Sequence, residues 1–285
     1  TEADSNGNFL WTRKLIQFMK YYGINGLGIN SEFFSDYDTM THLLNFFADC
    51  HAKAKEEGWE FQIHWYDLMT RSGEKSFKNS LNSQNSSILG PDNNKKVDMF
   101  FLNYNWGSAG LASSVRMAKQ LPRNSYDIFA GFDIQKNALN NYSWKALSTQ
   151  PVSIGFWGAH AQSLLHQSAT DEGTEDIAIQ RAYQKKLELV FSGGNRNPAF
   201  TPELSSGTSL SNTALKKFHG LASYLTAKST ISDVPFVSRF NLGNGLKFHN
   251  EGKVTFNHKW YNLNTQDLMP TWRWWITDQN DAVDE

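Results

Sequence analysis

Tyr22-Gly23-Ile24-Asn25-Gly26-Leu27-Gly28-Ile29-Asn30-Ser31-Glu32 holds the end of a helix, a short strand and the turn that leaves it. Upstream, Leu10, Trp11, Leu15, Ile16, Phe18, Met19 and Tyr22 recur at steps of three and four, which predicts a helix over 10–22 that Gly23 ends. Residues 24–29 then read as a strand, glycine-rich where neighbouring backbone comes close. No phosphate-binding loop of the GxGxxG or GxxxxGKS/T kind follows this strand. That weakens a doubly wound nucleotide-binding fold, and a (β/α)8 TIM barrel fits better.

The rest of the chain repeats the alternation. Asp36 or Asp38 can cap a helix whose Met40, Leu43, Leu44, Phe47, Cys50 and Ala54 share one face up to Gly58. Further strands are expected at 61–66, 97–102, 126–131, 152–156, 187–191 and 235–240. Helices are expected near 113–120, around Trp144, over 174–186 and near 213–227. Seven strands spaced by helices call for a parallel sheet with crossover connections, one strand short of a barrel. The missing one is the first, expected upstream of Thr1. Residues 71–94 lose periodicity and are rich in Ser, Asn, Lys and Gly, the texture of a long, mobile surface loop. After Asn241, Asn244-Gly245, Asn250-Glu251-Gly252 and Trp260-Tyr261 announce turns and short strands of a β-rich region.

Composition narrows the function classes. Across 285 residues, 27 Lys and Arg oppose 28 Asp and Glu, so no overall field draws the protein to nucleic acid or an anionic membrane. No stretch reaches the roughly 20 apolar residues of a membrane span. The single Cys50 excludes an intrachain disulfide and a Cys-rich metal site, and its neighbours Leu43, Leu44, Phe46 and Phe47 predict a buried thiol. Thr1 is not preceded by a charged-then-apolar leader, so both a secreted or cell-surface bacterial protein and a cytoplasmic one stay open. Aromatics make up 14 % of the chain, ten of them Trp, and flat rings at strand ends suit the apolar faces of sugars.

A barrel builds its active site at the carboxyl ends of its strands. Those ends carry Asn30 and Glu32, then Tyr66 and Asp67, then Asn103, Tyr104, Asn105 and Trp106. Next come Phe132 and Asp133, Trp157 and His160, Asn195, and finally Asn241 and Asn244. No His-x-His pair suggests a metal, and no strand-end Lys suggests a Schiff base, so neither metal nor cofactor is expected. Glycoside cleavage needs an acid to protonate the departing oxygen, commonly with a second carboxylate. Glu32 is the candidate acid, and Asp67 or Asp133 the candidate partner.

Five blocks, Ile29-Asn30-Ser31-Glu32, His64-Trp65-Tyr66-Asp67, Phe101-Leu102-Asn103-Tyr104-Asn105-Trp106, the run from Tyr126 to Asp133, and Leu268-Met269-Pro270-Thr271-Trp272-Arg273-Trp274, together resemble the family 85 glycoside hydrolases. These are endo-β-N-acetylglucosaminidases, barrels followed by β-sandwich domains, which cut the GlcNAc-β1,4-GlcNAc bond in the core of N-linked glycans. The resemblance implies a catalytic barrel over 1–245 and the start of a β-sandwich accessory region over 246–285. It implies a monomeric catalytic unit of a larger chain acting on glycoproteins, able also to transfer the glycan to an acceptor. It further implies substrate-assisted catalysis, in which the substrate's 2-acetamido carbonyl attacks the anomeric carbon to give an oxazoline. Glu32 would be the acid/base and Asn30 would hold the acetamide N–H. Residues two apart on a strand point the same way, so both can reach one sugar. Tyr66 matches a tyrosine at the acetamido group and Trp106 an aromatic flanking the cleft. Phe77 stands where relatives commonly carry Trp and is expected on a mobile acceptor-side wall, while Asn103, Asp133 and Asn241 are candidate glycan contacts. Two other readings stay open: a two-carboxylate retaining glycosidase using Glu32 with Asp67 or Asp133, and a glycan-binding module without catalysis. Asn85 and Asn141 head Asn-x-Ser sequons expected at chance in so Asn-rich a chain.

Overall fold

A computed structural model describes residues 2–133, 144–157, 175–178, 231, 233–241, 243–261 and 267. The chain divides into two compact units, residues 1–187 with 206–218 and residues 188–205 with 219–285.

Helix α1 (Thr12–Tyr21) stops at Gly23, whose φ of 70° suits glycine. Strand β1 (Gly26–Ile29) follows, then α2 (Tyr37–Glu56), capped by Asp36, whose carboxylate accepts the Thr39 N–H at 2.7 Å. The first unit continues with β2 (Gln62–Tyr66), α3 (Ser86–Leu89), β3 (Met99–Leu102), α4 (Ser108–Gln120), β4 (Ile128–Asp133), α5 (Trp144–Thr149) and β5 (Ser153–Trp157). All five strands are parallel and pair in sequence order, β1-β2-β3-β4-β5. A doubly wound sheet reverses direction at its switch point, and this one does not, so it matches part of a (β/α) barrel.

One face of the sheet is the core. Ile63, Trp65, Phe100, Leu102, Ile128, Ala130 and Phe132 are buried there with Ile16, Met19, Met40, Phe47 and Leu111 from the helices. The Phe47 and Trp65 rings meet edge to face at 6.2 Å. On the other face Phe101 leans across Gly131 to Gly155, two strands away, and a Cβ on either glycine would run into its ring. His64 of β2 likewise comes within 6.1 Å of Phe129 on β4, ring to ring. Flat strands so placed are about 9–10 Å apart. The contacts therefore require the sheet to curl around this face. Cys50 is buried as expected, and burial pushes its thiol up to about 12.

Three expectations change. The segment after β2 is built rather than loose: it contains α3, buries Leu81, Ile88 and Leu89 completely, and ties Arg71 N–H to the Gln84 carbonyl at 3.0 Å. Its polar residues bond one another, so periodicity is absent although structure is not. The expected strand at 126–131 shifts to β4, because Asn124 accepts the Tyr126 N–H and winds 125–127 into a 3-10 turn. The expected strand at 235–240 pairs with nothing among the described residues; Pro235 has no N–H, Ser238 Oγ takes the Phe240 N–H at 3.1 Å, and Asp267 takes that of Arg239 at 2.7 Å. The expected strand at 187–191 and the helix at 213–227 lie outside the described residues. In the second unit β6 (Asn244–Gly245) pairs antiparallel with β9 (Trp260–Tyr261), and β7 (Phe248–Asn250) with β8 (Lys253–Phe256).

Candidate active site

Side chains alternate along a strand, so those sharing the face of Phe101 can be followed to the strand ends. The register pairs Gly28 with His64, Tyr66 with Phe101, Gly131 with Gly155 and Asp133 with Trp157. Asn30, Tyr66, Asn103, Asp133 and Trp157 thus follow on the concave side at the carboxyl edge of the first unit.

Asn30 and Glu32 touch. The Asn30 Nδ2 donates to Glu32 Oε1 at 2.8 Å, and both side chains are exposed. That bond leaves the Asn30 carbonyl oxygen as the end able to accept an N–H from a ligand. The Glu32 backbone is held from the segment after β2: Lys75 Nζ reaches its carbonyl at 3.4 Å, and the Ser35 N–H donates to the Gly73 carbonyl at 3.2 Å. Gly73 has a φ of 83°, and a side chain there would strike the backbone of Ser35 and Asp36.

Tyr66 stands next on β2 and donates its hydroxyl to Asn103 Oδ1 at 2.7 Å. Asn103 Nδ2 in turn donates to Asn79 Oδ1 at 2.6 Å. Burial pushes the Tyr66 phenol up to about 12; the negative charges of Asp67, Glu32 and Asp133 add to the rise, while a hydrogen bond with Tyr104 opposes it. Tyr66 is a neutral hydroxyl near neutral pH. Its ring lies 6.1 Å from Phe77 and 5.9 Å from both Phe101 and Tyr104.

Asp67 is 1 % exposed. Its Oδ1 accepts from Asn85 Nδ2 at 3.1 Å, and its Oδ2 is buried without a close hydrogen bond. Burial raises its carboxyl to about 7, against the pull of Asn85 and of the backbone N–H groups of Asn79, Lys78 and Asn103. A group so enclosed behind Tyr66 does not reach a sugar, so it is poorly placed as a nucleophile. Asn85 is itself fully buried in this contact, which closes its sequon to modification in the folded protein. Asn141 lies outside the described residues.

The aromatic assignments divide. Phe77 is 48 % exposed beside Tyr66. Trp106, expected to flank the cleft, is only 4 % exposed; its Nε1 donates to the Gly131 carbonyl at 2.8 Å and its ring packs edge-on against Phe132. It braces β4 and offers no free face. Trp157, 48 % exposed on the strand paired with Asp133, presents one instead. Asn241 belongs to the second unit, where its Oδ1 takes the Gly243 N–H at 2.8 Å in a local turn. Sequence reasoning missed Asn79, Lys75 and Asn85, which lie in the segment without readable periodicity.

Residues 1–248 match glycosyl hydrolase family 85. The chain is 23 % identical over 212 residues to the cytosolic endo-beta-N-acetylglucosaminidase of Danio rerio, covering 73 % of this chain and 24 % of that protein. It is 23 % identical over 261 residues to the protein of the same name from Homo sapiens, covering 90 % and 29 %. It therefore spans well under half the length of these curated relatives. Among solved structures, the glycoside hydrolase domain of Endo-D from Streptococcus pneumoniae R6 is similar with a TM-score of 0.72 at 24 % identity, over 96 % of this chain and 41 % of that one. At that identity the likeness is one of fold.

Proposed function

The chain belongs to glycosyl hydrolase family 85, and from that premise we propose that it is an endo-β-N-acetylglucosaminidase cutting the GlcNAc-β1,4-GlcNAc bond in the chitobiose core of N-linked glycans. The contact of Asn30 with Glu32 at the end of β1 supports this most. A neutral amide bonded to the acid can hold a substrate acetamide, while Asp67, one of the two candidate second carboxylates, is buried. In this reading the substrate supplies the nucleophile. Its acetamide N–H is held by the Asn30 oxygen, and its carbonyl oxygen bonds to the anomeric carbon. The glycosidic bond breaks as Glu32 gives its proton to the departing GlcNAc oxygen. Glu32, now a carboxylate, then takes a proton from water or from an acceptor hydroxyl as that oxygen bonds to the anomeric carbon and opens the oxazolinium ring, whose N–H has stayed on nitrogen, back to the acetamide; the second outcome is transglycosylation.

Phe77 and Trp157 supply flat rings for neighbouring sugars and Tyr66 and Asp133 line the floor between them, while Asn103, expected as a glycan contact, is only 4 % exposed and is bonded to Tyr66 and Asn79 instead. We read the five-stranded sheet as part of a (β/α)8 barrel domain to which residues 1–245 contribute seven strands, with 246–285 opening a β-sandwich region; the family match ending at 248 supports that division. N-linked glycoproteins are the proposed substrates and a monomeric catalytic unit the proposed form. The names of the vertebrate relatives favour the cytoplasmic of the two compartments considered.

Asn30→Ala tests the mechanism. Its task is confined to making the oxazoline, so the variant loses hydrolysis of intact glycans yet still joins a pre-formed sugar oxazoline to a GlcNAc acceptor, because Glu32 remains to deprotonate the acceptor. Equal loss of both activities in a folded protein overturns the assignment, and a sugar trapped covalently on Asp133 establishes the two-carboxylate reading instead.

A further inference from the structure

Asn79 lies in the segment after β2 with a φ of 53°, a left-handed conformation that asparagine tolerates better than most residues. Its Oδ1 receives two hydrogen bonds, one from the backbone N–H of Asn105 at 3.2 Å and one from Asn103 at 2.6 Å. The oxygen and nitrogen of a side-chain amide are told apart only by their partners. Here one partner admits a single answer, because a backbone N–H can only donate. The Asn79 atom facing Asn105 is therefore its oxygen. The Asn103 atom meeting that oxygen must be the NH2, which leaves the Asn103 oxygen toward Tyr66. The Tyr66 hydroxyl at 2.7 Å must then be the donor.

We infer that Asn79 is a positioning residue of the site, acting through Asn103 to turn the Tyr66 proton away from the cleft. Tyr66 then meets the substrate as an acceptor, selecting an O–H donor on the bound sugar. This deepens the glycosidase reading and rests on it for the identity of that donor. The consequence is that the segment after β2, although it supplies no residue that carries out a chemical step, sets the hydrogen-bond polarity of one that touches substrate.

The test uses three variants. Asn79→Gly removes the oxygen while accepting the backbone conformation, Asn79→Asp keeps an oxygen in the same place, and Tyr66→Phe removes the hydroxyl. In nitrogen-edited NMR the hydrogen-bonded side-chain N–H of Asn103, shifted and slow to exchange, is expected in the wild type, in Tyr66→Phe and in Asn79→Asp, and lost in Asn79→Gly. Loss in Tyr66→Phe with retention in Asn79→Gly means the amide is flipped and overturns the inference. On a chitobiose-core glycopeptide, Asn79→Gly is expected to lower kcat about ten-fold, the worth of one hydrogen bond, with little change in KM and with recovery in Asn79→Asp. In a Tyr66→Phe background the same change has no further effect, since the influence runs through the hydroxyl. Losses that multiply overturn the positioning role. A wild-type protein that leaves the glycopeptide intact brings down the glycosidase reading alone, and the NMR comparison still decides the polarity.

Discussion

In the proposed mechanism the chemistry turns on Glu32, which is exposed at the end of β1 and bonded to Asn30 at 2.8 Å. Removing a positioned acid/base costs about 10²–10⁴ in rate, so Glu32→Gln should abolish glycoprotein hydrolysis, measured by product release, while leaving the unfolding transition in place. Near-normal turnover would take Glu32 out of its role. Asp67 makes a different prediction, because its carboxyl titrates near 7 when folded, well above the ordinary Asp value. The folded protein holds the Asp67 proton more tightly than the unfolded chain, so the favourable protonated state is fully present below the unfolded pKa. It is lost as pH rises from about 4 through 7, with a slope of up to about 1.4 kcal/mol per pH unit. The stability of the wild type to denaturant should therefore fall over that window relative to Asp67→Asn, and parallel curves would contradict the assignment. Asn30, Glu32 and Tyr66 were legible in the sequence because they stand at the ends of strands with clear flanking periodicity. Asn79 and Asn85 were not, because they act on residues 24 and 18 positions away, Asn103 and Asp67, through a fold that spacing alone does not reveal.

At the scale of elements, the helices and strands around β1, β2 and β3 could be read from apolar periodicity, and their ends moved by a few residues at most. The polar segment 71–94 could not, since its order comes from side-chain bonds such as those of Thr70, Asn82 and Asn85 with nearby backbone. It packs Leu81, Ile88 and Leu89 into the core, and Phe77 lies against Tyr66. Phe77 is proposed as part of the acceptor-side wall. Truncation to Ala should cost an acceptor about 1 kcal/mol of ring contact, roughly five-fold in its KM during transglycosylation, and change hydrolysis less. Equal effects on both, or a fall in stability alone, would remove Phe77 from the acceptor side. Trp106 shows the limit of reading an aromatic by position, since its indole is spent on the Gly131 carbonyl.

For the molecule as a whole, the sequential parallel order of β1 to β5 and the curl imposed by Phe101 over Gly131 and Gly155 bring Asn30, Tyr66, Asn103 and Asp133 to one rim. The parallel order of β1 to β5 was legible because each of these five strands announced itself and no phosphate loop followed the first. The second unit was less so, as its short strands carry little periodicity and the expected strand at 235–240 bonds to itself and to Asp267. Charge balance gives the surface no sign bias toward polyanions, which suits a neutral glycan as partner. The central claim is that this rim cuts between the two GlcNAc residues of the chitobiose core. Its most direct test is intact mass measurement of an N-glycosylated protein after incubation with the wild-type chain. The account predicts that each occupied asparagine keeps one GlcNAc and that the released glycan ends in the other. Glycans left whole, removed entirely from asparagine, or trimmed only from their outer ends would contradict it.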